Sequence, residues 1–91
     1  MTTTNGVPIK VEQGRIPEAL QEAVDKLQDA AAVTLDFASV TRIDPGALQA
    51  MEKLAGTADE KGAKVVLRGT EVDVYKVLKL ARLSNRFSFV A

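Results

Sequence analysis

The chain has 91 residues, with 12 lysines and arginines against 12 aspartates and glutamates, so its formal net charge is zero. No global field favours nucleic acid, an anionic membrane or a strongly charged partner, and partner choice must be local. There is no cysteine and no histidine, which excludes disulfides, thiol nucleophiles, imidazole acid–base catalysis and nearly all soft or borderline metal sites.

The length suits a single domain over residues 1–91, with a polar, frayed start at residues 1–6. The first residues lack a basic region followed by an apolar stretch, and no run approaches the ~18 apolar residues of a membrane span. A soluble, cytoplasmic protein with no direct membrane insertion is the expectation.

In chain order, Val7, Ile9 and Val11 alternate with Pro8, Lys10 and Glu12, the period of a half-buried strand, and Pro8 places that strand at a sheet edge. Ile16, Leu20, Ala23, Val24, Leu27 and Ala31 then recur at three- and four-residue spacing. With Pro17 near its start, this predicts an amphipathic helix of roughly 14 residues whose outer face carries Glu22, Asp25, Lys26 and Asp29. Residues 32–37, rich in β-formers, read as an interior strand covered on one or both faces.

The segment from Val40 to Met51, VTRIDPGALQAM, leaves that strand through a loop and opens a second helix. Aspartate is a good N-cap and proline is favoured at the first helical position, so Asp44 and Pro45 mark the start. Ala47, Leu48, Met51, Leu54, Ala55 and Ala58 form its apolar stripe, and Gly62 closes it after Asp59, Glu60 and Lys61. Residues 63–67 predict a third strand. Gly69, Thr70 and Glu71 supply a turn with a candidate cap before a third helix ending near Leu83, and residues 86–90 a last short strand.

The order β-α-β-α-β-α-β calls for an α/β fold with a mostly parallel or mixed sheet and helices packed on it. In such sheets function gathers where strand ends meet helix starts, here at the VTRIDPG junction. The ionisable groups near it are Asp36, Arg42 and Asp44, with no nucleophile paired with a base, so catalysis is not expected. Glycine-rich phosphate fingerprints are absent.

The third helix is apolar on two sides. At 100° per residue Val74, Val77, Leu78 and Ala81 point one way, and Val72, Tyr75 and Leu83 nearly the opposite way, with Leu80 between. A helix of this type is covered twice, by its own chain or by another protein. Val72, Tyr75 and Leu83 are therefore a candidate second interface, available to a homodimer, with the last strand as the alternative cover. Lys76, Lys79, Arg82 and Arg86 form a basic rim, read as a solvated face rather than a nucleic-acid site because aromatics are few.

Residues 33–87 resemble the STAS domain family of the bacterial anti-sigma factor antagonists. The resemblance rests on Leu35-Asp36, Ile43-Asp44 and Leu48, then on Lys61-Gly-Ala-Lys-Val-Val-Leu67 and Tyr75-Lys-Val-Leu-Lys-Leu-Ala-Arg-Leu83. Regulated members carry a phosphorylated Ser or Thr directly after the aspartate, whereas this chain has Pro45. Gly46 also falls one residue early, with Ala47 in the usual glycine place, and one strand precedes Ile16 where the family has two or more.

The resemblance implies a non-enzymatic interaction module without cofactor, its regulatory partner an anti-sigma factor or kinase-like protein. The docking surface it implies comprises Ser39, Thr41, Arg42, Asp44, Pro45, Gly46 and Gln49. Ser39 and Thr41 are alternative phosphate acceptors, although such hydroxyls more often serve turns and caps. Two other implied roles are a small cytoplasmic subunit bracing the ATPase of a lipid-transport ABC complex, and a nucleotide-binding sensor. The latter lacks a visible glycine-rich cradle.

Overall fold

The computed structural model describes residues 7–90, and the expected order of elements is present. Strand β1 (Val7–Lys10) leads through a 3-10 turn (Gln13–Arg15) into α1 (Ile16–Lys26). Then follow β2 (Ala32–Asp36), α2 (Pro45–Lys61), β3 (Lys64–Arg68), α3 (Val72–Leu80) and β4 (Ser88–Val90). The frayed start expected at residues 1–6 lies outside the described residues.

The four strands form one sheet in the order β1-β2-β3-β4, and every neighbouring pair is parallel. This sequential order has a strong consequence. Parallel crossovers are right-handed, so three crossovers stepping the same way carry all three helices to the same face of the sheet. Burial agrees: Val33, Leu35, Val65 and Leu67 are buried, while the alternate residues Ala32, Thr34, Asp36 and Val66 are only half-buried. Strand β2 is thus covered on one face. The core lies between that face and the helices, and is built on Leu20, Leu35, Phe37, Met51, Leu54, Leu67 and Leu78.

Helix boundaries follow local chemistry. In α1 the helix stops at Lys26 because Leu27, Gln28 and Asp29 enter a turn. Ala31 is consequently exposed, and Ala19 joins Ile16, Leu20, Ala23 and Leu27 in the core. Helix α2 opens and closes as its sequence predicts. The Asp44 side chain accepts from the Ala47 N–H at 2.8 Å, and Gly62 closes the other end at φ 65°, a left-handed conformation suited to glycine.

Helix α3 ends three residues earlier than predicted. Arg82 takes φ 64°, its N–H donates to the Lys79 carbonyl at 3.0 Å, and the Leu83 N–H donates to the Leu78 carbonyl at 2.8 Å. This is the Schellman arrangement, with arginine where glycine is usual. It turns Leu83 inward, to 3% exposure. Leu83 therefore does not join Val72 and Tyr75 on an outer stripe: the helical wheel that placed it there assumed a helix that the chain has already left.

Candidate partner-binding site

Because every strand is parallel, the loops after β1, β2 and β3 emerge at the same end of the sheet, beside the starts of α1, α2 and α3. The loop from β2 to α2 is fixed from within. The Asp36 carboxylate accepts from the Ala38 N–H at 3.0 Å, which turns the chain as it leaves β2. Val40 is fully buried, with its N–H on the Phe37 carbonyl at 2.9 Å, and Ile43 is half-buried. These two apolar residues press the loop onto the core while Thr41 and Arg42 remain exposed between them.

The strongest hold on this loop comes from a residue that carries no local signal. The Gln13 amide oxygen accepts from the Thr41 N–H at 2.7 Å, the Arg42 N–H at 3.2 Å and the Thr41 hydroxyl at 3.1 Å. Its amide nitrogen donates to the Arg42 carbonyl at 3.0 Å. One side chain thus pairs with the backbone of two loop residues as a neighbouring strand would. The partners are 28 and 29 residues away in sequence, beyond the reach of any periodicity.

The structure brings Thr41, Arg42, Asp44, Pro45 and Gly46 together on one exposed ridge, and Gln49 lies one turn further along α2, also exposed. Ser39 is exposed on the turn that precedes Val40. Below the ridge Gln13, Gly14, Ile16, Pro17, Arg42, Asp44 and Ala47 line a cleft of about 400 Å³. Asp44 is committed to capping α2, and the Thr41 hydroxyl faces an amide oxygen, which orients it but is too weak a base to activate it. Among the described residues no cluster of acidic side chains is arranged to hold a metal ion.

The second predicted set is divided. Val72 and Tyr75 are 68% and 38% exposed, whereas Leu83 belongs to the core. The Tyr75 ring meets Phe89 edge to face, with centroids 5.0 Å apart and planes at 83°. The last strand covers part of the outer side of α3, and Thr70, Val72, Tyr75, Phe89 and Val90 line a shallow cleft of about 330 Å³. The candidate cap before α3 does not form: Glu71 makes no capping bond, and the Thr70 hydroxyl is buried without a hydrogen-bond partner among the described residues.

A protein-family model described as "Mlab, STAS domain" matches residues 14–90. The chain belongs to the STAS domain family. Its fold is similar to that of the anti-sigma factor antagonist SpoIIAA in its unphosphorylated form, with a TM-score of 0.74 at 11% identity over 100% of this chain and 84% of that one. It is also similar to a putative anti-sigma factor antagonist from Thermotoga maritima, with a TM-score of 0.70 at 16% identity over 98% of this chain and 74% of that one. No curated protein matches the sequence. In this STAS domain the position directly after the helix-capping aspartate is Pro45, the first residue of α2.

Proposed function

We propose that this STAS domain is a non-enzymatic docking module of the cytoplasm that binds a regulatory protein of the anti-sigma factor or kinase-like class. Its surface is the ridge of Ser39, Thr41, Arg42, Asp44, Pro45, Gly46 and Gln49. The observation that carries this reading is the Gln13 clamp, which fixes the backbone of Thr41 and Arg42 while leaving the Arg42 side chain exposed. A surface whose backbone is ordered before binding loses less entropy on association.

Pro45 has no hydroxyl, so phosphate cannot be added at the helix start, where it would place about −1.5 to −2 charges on the recognition face. The module is therefore read as standing in one binding state. A constitutive state also suits the second reading, a small subunit bracing a transporter ATPase, since a structural brace needs no switch. No helix among the described residues is long and apolar enough to cross a membrane.

Parallel affinity purification of the wild-type chain and of Arg42→Glu, Gln49→Lys and Gln13→Ala variants tests the proposal. One protein should be retained by the wild type, lost with Arg42→Glu and weakened with Gln13→Ala, and its identity as an anti-sigma factor or an ATPase decides between the two readings. Retention of the same partners by all the variants would remove the ridge from consideration.

A further inference from the structure

The opposite edge of the sheet carries a different kind of surface. The Val90 carbonyl accepts from the Gly69 N–H at 3.1 Å, so the polar backbone groups of Val90 face the β3 side. In a strand these groups alternate, and those of Phe89 consequently face outward, where β4 has no neighbour among the described residues. Phe89 thus presents one free donor and one free acceptor at the centre of the three-residue strand. Beside them lies the apolar cleft of Val72, Tyr75, Phe89 and Val90, in which Val72 and Val90 are 68% and 50% exposed.

The charges on this flank are polarised. Helix α3 runs antiparallel to the strands it connects, which puts Glu71 level with the strand ends and Lys79 and Arg82 level with the strand starts. All three are exposed. The edge is therefore self-complementary: donor and acceptor on the same residue, apolar surface in the middle, acid at one end and base at the other.

We propose that this edge is the interface of a homodimer in which two β4 strands pair antiparallel about a two-fold axis beside Phe89. The Phe89 N–H of each copy donates to the Phe89 carbonyl of the other, which continues the sheet across the axis. Val72, Tyr75 and Phe89 of both copies close over one apolar layer above it. Under the same axis Glu71 of each copy comes level with the basic end of α3 in the other, so both ends of the interface are paired. An isologous contact of this kind closes at two copies and leaves no unpaired edge on β4 to propagate. The docking ridge lies outside it, so the two surfaces can be occupied together.

Sedimentation of the full chain over a concentration series should show a monomer–dimer equilibrium. Val72→Lys, at an exposed position where folding is not at stake, should move it to monomer. Glu71→Lys in one chain, and Lys79→Glu with Arg82→Glu in another, should each weaken self-association by about tenfold. An equal mixture of those two chains should recover a heterodimer, because the reversed charges again meet their opposites. Amide exchange at Phe89 should slow as the dimer forms. A monomer at every concentration overturns the proposal, as does a dimer indifferent to Val72→Lys and to the charge reversals. Failure of the mixed chains to associate more tightly than either alone overturns the antiparallel arrangement.

Discussion

The two edges of this sheet are built on different principles. On β1 the Val11 N–H donates to the Asp36 carbonyl at 3.0 Å, so by alternation the backbone of residue 8 faces outward, and there Pro8 has no N–H to offer. Lys10, also exposed and facing the same way, adds a charge. Proline and lysine are common means of blunting an edge strand. On β4 the sequence Ser88-Phe-Val90 has neither, and the helix beside it exposes apolar side chains. Polar satisfaction differs in the same sense. The loop from β2 to α2 is held by Gln13 and capped by Asp44, while the turn before α3 has an uncapped helix start and a buried hydroxyl without a partner among the described residues. The β1 flank is closed to further pairing; the β4 flank, tied to the body by its pairing with β3 and by the Arg86–Asp59 ion pair, is open to it among the described residues.

The largest expected effect comes from removing the packing of α3 on the core. Val74 and Leu78 are the buried residues of α3, and Leu78→Ala should cost about 2–5 kcal/mol. If the β4 flank depends chiefly on this packing, amide exchange in β4 should accelerate more than in β1 and β2. Uniform acceleration across the sheet would mean that the two flanks unfold as one unit and that the contrast is only one of surface.

On the other flank Asp44→Ala should cost about 0.5–2 kcal/mol, and Asp44→Asn much less because the capping oxygen is kept. An unchanged denaturation midpoint in Asp44→Ala would show that the cap is not what holds the ridge. A stable Asp44→Asn chain that no longer retains its partner would assign the carboxylate charge to docking.

Arg82→Gly should raise stability by about 0.5–1 kcal/mol, since an L-residue pays for the left-handed conformation at φ 64° and glycine does not, apart from its greater loss of freedom on folding. Greater thermal stability together with weaker self-association would indicate that arginine at this position serves the β4 edge rather than the fold. The smallest effect is expected for Pro8→Ala, a loss of about 0.5 kcal/mol through the greater freedom of the unfolded chain. Its informative readout is association: restoring the outward N–H should increase pairing or aggregation through β1, and indifference would show that proline is not what guards that edge.

Local periodicity made several features legible in advance. The alternation of Ile9 and Val11, the stripe of α2 from Ala47 to Ala58, and the Asp44 and Gly62 ends of that helix depend on neighbours a few residues apart, and each is found where its spacing places it. The inner face of α3, with Val74 and Leu78 buried and Val77 and Ala81 half-buried, is legible for the same reason. Its outer face is not. Whether Leu83 continues the stripe depends on where the helix stops, and a non-glycine residue at the left-handed position gives no warning of it.

The sequence by itself determined the α/β order, the helix ends set by Asp44, Pro45 and Gly62, and the absence of thiol and imidazole chemistry, because these follow from residue identity and short-range spacing. Only the tertiary structure decided that the four strands are all parallel and in sequential order, which gathers the helices on one face and the loops at one end. It also decided that Gln13 would clamp the loop from β2 to α2 and that Phe89 would meet Tyr75 beside an edge left unpaired among the described residues. These depend on which distant segments become neighbours, and that is settled by the packing of the whole core and the handedness of the crossovers.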